Sequence, residues 1–205
     1  MSRIGVVVVG KTTQEIFAAA QAAREKLNLG LTGRLAVDNL ERLLEKRICP
    51  AFGVDLDVIG DDDSMLAGAY AAYSYGDRVL RVKESVVRKL KLEDPEAIFT
   101  ICHELGHICL HSDPAFFRRE LPRHLPKKMC DPEWQADRFA IEFCVDRQRL
   151  MELFQNSASA AAYFRVPLEK LKIYLAELDA EGKLQRKRLS KADKHFEAVQ
   201  EDFDF

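Results

Sequence analysis

The chain lacks the pattern of a disulfide scaffold. Its 205 residues include five cysteines, Cys49, Cys102, Cys109, Cys130 and Cys144, an odd number with no Cys-x-x-Cys pair. That argues against a stapled secreted fold and leaves Cys102 and Cys109, both in a predicted helix, as small buried hydrophobes. Long apolar runs are also missing: nothing approaches the ~18 residues of a membrane span. The opening apolar stretch, Ile4 to Val9, is too short for a secretion signal, and no small-residue cleavage site follows it. The expectation is a cytoplasmic protein that does not partner a membrane. Charge of one sign is not in excess either. Lys and Arg number 31 against 33 Asp and Glu, a net charge of -2, so no global field favours nucleic acid or a lipid surface. Internal repeats and low-complexity blocks are absent. What is present is 47% apolar and 31% charged residues, the balance of a folded domain with a core.

Hydrophobic periodicity lays out the elements. Ile4 to Val9 reads as a short strand. Thr12-x-x-Glu15 is a capping box opening a helix to about Leu29, ended by Gly30. A second helix is predicted from about Val37 to Lys46. Val54, Leu56 and Val58 alternate with aspartates, the period of a half-exposed strand. Leu66 to Tyr75 and Arg78 to Val82 form a hairpin around Gly76-Asp77, with a short helix near Ser85 to Leu90 after it. Asp94-Pro95-Glu96 starts a helix to about His111, and Asp131-Pro132-Glu133 starts another to about Phe154. Between them, Pro114, Pro122 and Pro126 indicate mostly loop. Two shorter helices follow near 158–164 and 168–179.

The chemistry concentrates in His103-Glu104-Leu105-Gly106-His107, an H-E-x-x-H motif. Residues four apart share one helix face, so two imidazoles can reach one ion at about 2.0–2.1 Å. Glu104 lies about 100° around the helix from His103, placed to take a proton from a metal-bound water rather than to join the inner ligands. The bland alternative is a pair of surface histidines.

A catalytic zinc needs a third protein ligand and one open position. Four residues compete. Glu133 has Asp137 one turn later on the same face, so Glu133 can bind while Asp137 accepts a hydrogen bond from the far nitrogen of a ligand histidine. His111 sits one turn beyond His107, a strained reach for a shared ion, and is expected to interact with the helix end. Asp113 would need a sharp turn at Leu110. Asp131 reads as a helix cap. Glu133 is favoured, with the others open. In this scheme zinc acidifies its water, and Glu104 takes the proton and passes it to the leaving amine. Tyr70, Tyr73, Tyr75, His124 or Tyr163 could stabilise the oxyanion. Arg78 to Val82, if an edge strand, could pair with an extended peptide.

The run Phe99-Thr-Ile-Cys-His-Glu-Leu-Gly-His-Ile-Cys-Leu-His111, with Glu133-Trp-Gln-Ala-Asp-Arg-Phe-Ala140, resembles the ImmA/IrrE metallopeptidases. The resemblance is closest over about 78–150. It rests on H-E-L-G-H together with the glutamate motif E-x-x-A-(N/D)-x-F-A, at His103, Glu104, His107, Glu133, Ala136, Asp137, Phe139 and Ala140. It implies a cytoplasmic regulatory protease holding zinc, with manganese as the alternative. It also implies a substrate among helix-turn-helix repressors in stress responses or mobile-element control. The chain departs from the family in its first strand and at Cys144-Val-Asp-Arg147, where an aliphatic segment ending in Pro is common. It is also too short for the C-terminal sensor domain of some members.

Two other signals are set aside. Gly5-Val-Val-Val-Val-Gly10-Lys11-Thr12 fits a phosphate-loop pattern, but four valines favour a strand over an amide-lined loop. Ala161 to Pro167 with Leu171 and Leu175 resembles a helix-turn-helix whose turn residue is Arg165; one basic residue there carries no base code, so packing rather than DNA reading is expected. Lys183 to Lys194 reads as a solvated face.

The expected fold is therefore α+β: a zincin-like metallopeptidase core over 1–155, with a small mixed or antiparallel sheet packed on helices. A helix-turn-helix-like segment over 156–182 and a charged tail over 183–205 would follow. The rival expectation is a non-catalytic regulatory binding module with a structural or vestigial zinc site.

Overall fold

The computed structural model describes residues 7–30, 40–66, 68–111, 117–118, 126–153 and 156–184. Expectations for residues 4–6, 37–39, Asp113, His124 and the charged tail from 185 onward fall outside them.

The chain begins with β1 (Val7–Val8), then α1 (Thr13–Lys26). The capping box forms as read: Glu15 N donates to Thr12 Oγ1, and Glu15 Oε2 accepts from Thr12 N at 2.8 Å. Next come α2 (Leu40–Leu43), a π-helical turn (Leu44–Ile48) and α3 (Cys49–Phe52). The expected stop at Lys46 is thus overrun by a turn and a half. Pro50 has no N–H and would clash with the carbonyl four residues back in a regular helix. The wider turn before it relieves that clash, and Gly53, at φ 61°, ends the run.

Strand β2 (Asp55–Ile59), a 3-10 turn (Ser64–Leu66), β3 (Ala71–Ser74) and β4 (Val79–Lys83) follow. The sheet order is β2-β4-β3, with β2 parallel and β3 antiparallel to β4. The sheet is mixed, and β4 lies at its centre. Arg78 to Val82 is therefore no edge; β3 is. Helix α4 (Glu84–Lys91) continues directly from β4. Asp61 holds its start, accepting from Ser85 N at 2.9 Å and pairing with Arg88 at 2.6 Å.

Helix α5 (Pro95–His111) has the predicted bounds, with Asp94 Oδ1 accepting from Ala97 N at 3.0 Å. Strand β5 (Phe117–Arg118) pairs antiparallel with β1. A 3-10 turn (Lys127–Cys130) leads to α6 (Pro132–Cys144), capped by Asp131. The expected single helix to Phe154 is two: Val145 is extended, and α7 (Arg147–Leu153) restarts with Asp146 Oδ1 accepting from Gln148 N and Arg149 N. Helices α8 (Ser157–Phe164) and α9 (Leu168–Ala180) meet at Arg165, whose φ of 55° takes the place a glycine would fill.

Helices α5 and α6 pack most closely, with α1 against α6 and β3 against α5. One apolar core runs from Ile16 through Leu80, Leu105, Phe139 and Phe143 to Leu178. Cys102 is buried in it, and Cys109 is half-buried. Gly106 sets the α5–α6 spacing: a Cβ there would lie 3.0 Å from both Cα and O of Ala136. Beside that crossing, α6 is tied to α9. Buried Arg138 pairs with Glu142, Glu177 and Glu181, and Tyr174 Oη donates to Glu142 Oε2 at 2.8 Å. No helix among the described residues is long and apolar enough to cross a membrane.

Candidate metal centre

The close crossing at Gly106 brings the first turn of α6 over the middle of α5. His103 and His107, one turn apart, turn their Nε2 atoms toward each other at 3.1 Å. Glu133 faces both, with Oε2 3.4 Å from His103 Nε2 and Oε1 3.8 Å from His107 Nε2. Donors 2.0–2.1 Å from a tetrahedral ion stand about 3.3 Å apart. The three separations bracket that value, and two imidazoles with one carboxylate are a donor set zinc accepts. His103 is partly exposed, His107 is buried and Glu133 is open to solvent.

Each imidazole is held from behind. His103 Nδ1 lies 2.9 Å from Asp137 Oδ1, and Asp137 Oδ2 accepts from Lys170 Nζ on α9 at 2.5 Å. His107 Nδ1 lies 3.1 Å from His111 Nδ1 and 3.2 Å from Tyr75 Oη. His111 Nε2 lies 2.9 Å from Gln135 Oε1. Glu104 is buried beside the histidines, and its Oε2 accepts from the Tyr73 N–H at 2.8 Å.

The electrostatics follow from burial and these partners. Burial opposes charge on His103, but hydrogen bonds to Asp137 and Glu133 outweigh it and raise the pKa to about 9. Burial pushes His107 down to about 3, helped by charge on His103 and His111. Burial raises Glu104, and the Glu133 charge adds to this; His103 and the Tyr73 N–H act against it. A carboxylate held above its usual range is a stronger base than an ordinary one. Asp137 falls, because its bonds to His103 and Lys170 outweigh the burial that would raise it.

Of the residues the sequence put forward, His103, Glu104, His107, Glu133 and Asp137 come together. Asp131 caps α6, accepting from Glu133 N. His111 neither joins the converging donors nor serves the helix end; it is wholly buried between His107 and Gln135. Among the tyrosines, Tyr75 stands beside the site. The Tyr73 hydroxyl is buried with no hydrogen-bond partner, Tyr70 is exposed, and Tyr163 packs on Phe164 and under Arg149. Lys170 and Gln135 escaped the sequence reading. Lys170 is 33 residues from its partner and carried no signal. Gln135, two residues after Glu133, faces one turn toward α5 and was legible only as a polar residue on a buried stripe.

No curated protein matches the chain. A solved structure described as a Mycobacterium tuberculosis transcriptional regulator shares its fold, with a TM-score of 0.54 at 19% identity over 85% of this chain and 48% of that one. The chain thus spans about half the length of that protein. Residues 67–175 match the model of the Peptidase_M78 family, an IrrE N-terminal-like domain. That match covers more than half of the 205 residues, and the chain belongs to this family.

Proposed function

We propose that the chain is a zinc-dependent endopeptidase acting in the cytoplasm on a helix-turn-helix transcriptional repressor or similar regulator, in a stress or mobile-element response. The observation that carries this is the convergence of His103 Nε2, His107 Nε2 and the Glu133 carboxylate at tetrahedral spacings beside a buried Glu104. Family membership supports a metallopeptidase-like regulator.

His103, His107 and Glu133 would hold the ion. Bound there, zinc would polarise the scissile carbonyl and acidify a water. Glu104 would accept a proton from the attacking water and return it to the leaving amine. Its Oε2 is fixed by the Tyr73 N–H, which leaves the other oxygen for proton transfer. That bond also indicates the substrate path. Peptide groups along an antiparallel strand alternate between the partner and the free side. Tyr70 O accepts from Lys83 N, so Ala71 and Tyr73 turn their peptide groups to the outer edge of β3, toward α5. An extended peptide pairing with β3 would pass Glu104.

A structural zinc site would need a fourth protein donor at the ion. His111, with both nitrogens engaged elsewhere, does not supply one, and Asp113 lies outside the described residues.

Glu104→Gln tests the assignment. Glutamine keeps an oxygen for the Tyr73 N–H but cannot take a proton. The variant is expected to bind zinc as the wild type does while cleavage of a helix-turn-helix regulator, followed by intact mass, falls about 10²–10⁴-fold. Undiminished cleavage would remove Glu104 from the mechanism. Zinc content unchanged in His103→Ala and Glu133→Ala would dissolve the site itself.

A further inference from the structure

The His107 imidazole is backed by a chain of groups whose hydrogen-bonding directions are forced. Gln135 is wholly buried, and its Nε2 lies 2.6 Å from Met129 O and 3.0 Å from Val9 O. Carbonyl oxygens only accept, so both amide hydrogens are committed there, and the other end of the side chain must be the oxygen. That oxygen, Oε1, lies 2.9 Å from His111 Nε2, which must therefore carry a hydrogen. A neutral imidazole with a hydrogen on Nε2 has a bare Nδ1. His111 Nδ1 lies 3.1 Å from His107 Nδ1, and two bare nitrogens would repel at that distance, so His107 Nδ1 carries the hydrogen and donates it to His111, with Tyr75 Oη at 3.2 Å as a second acceptor. His107 is left with its Nε2 lone pair facing His103 and Glu133.

We infer that His111 and Gln135 are positioning residues: a directional relay from the Val9 and Met129 carbonyls through Gln135 and His111 fixes His107 with its Nε2 lone pair turned to the ion. The inference rests on the proposed metal site, but the His111 tautomer does not, because Gln135 dictates it from the far side. The relay also gives the first strand a part in the centre. Val9 directly follows β1, and Met129 O accepts from both Gln135 and Lys11 N. The segment thus orients Gln135, which orients His111.

Nitrogen-15 spectra of the histidine rings, recorded on the full chain with and without zinc, read the tautomers directly. His111 is expected in the Nε2–H form in both states, and His107 in the Nδ1–H form when zinc is present. Two variants separate positioning from packing. Gln135→Met removes the acceptor for His111 and should weaken zinc binding about 10–100-fold, the usual cost of losing such an outer partner. Gln135→Glu keeps an oxygen for His111 in either protonation state but loses at least one of the two donors to Val9 and Met129. It should bind zinc within a few-fold of wild type while lowering the melting temperature of the metal-free chain. A His111 ring in the Nδ1–H form beside normal zinc binding would overturn the relay alone, as would equal loss of zinc affinity in both variants. Failure of the wild type to bind zinc would overturn the site and the relay's purpose with it. Should Gln135→Met fail to fold, the tautomer spectra and Gln135→Glu still decide.

Discussion

Asp137 orients His103 through one short bond, and its substitutions are graded by what they can still accept. Alanine leaves the His103 Nδ1 hydrogen with no acceptor from α6, and zinc affinity should fall about 10–100-fold. Asparagine retains an accepting oxygen and should cost much less; titration with a competing chelator measures both. Asp61 offers a test by pH, away from the candidate metal centre. Hydrogen bonds from Ser85, with help from Arg88, hold its carboxyl at about 2, below its ordinary value of 3.8. A depressed carboxyl stabilises the fold in its charged form. That stabilisation is complete above the unfolded value and fades as pH falls through 3.8 toward 2. The stability gap between wild type and Asp61→Asn, measured by denaturant at a series of pH values, should be widest near neutrality and close by about pH 2. A gap that widens on acidification would refute the assignment.

The pairing of α5 with α6 depends on Gly106. Alanine is the better helix former by about 1 kcal/mol, yet its Cβ would press on the Ala136 backbone at 3.0 Å, where no side chain can swing aside. Gly106→Ala should therefore destabilise the chain by about 1–3 kcal/mol. It should also weaken zinc binding, because Glu133 rides on the displaced helix; melting curves and metal titration together check this. Elements with strong local signals were legible in the sequence. The caps at Thr12, Asp94 and Asp131 and the stripe of α5 placed three helices and, through i,i+4 spacing, most of the site. Features set by tertiary context were not. The π turn before Pro50 and the break at Val145 depend on how one turn meets its neighbours. The assignment of β3 rather than β4 to the sheet edge depends on β2 returning in parallel, which hydrophobic alternation does not encode. His111 was misplaced because its environment comes from α6, 24 residues away.

Across the whole molecule, the candidate ligands come from two helices that belong to one core, so occupancy and folding should be linked. Free zinc at about 100 times its dissociation constant would add about 2.7 kcal/mol, which for a chain of this length raises the melting temperature by roughly 5–11 °C. Chelation should reverse the shift, and His103→Ala should abolish it. The attachment of α9 has a practical consequence. Leu171, Tyr174 and Leu178 are each almost wholly buried, a stake of about 1.5–3 kcal/mol apiece, and Glu177 and Glu181 close the charge around Arg138. Domains of this kind are stable by only about 5–15 kcal/mol in all. A shortened version stopping at Phe164 should therefore emerge from expression as inclusion bodies or as a dye-binding, loosely packed species. Anyone wishing to harvest a minimal folded domain from this chain would have to carry its final helix along.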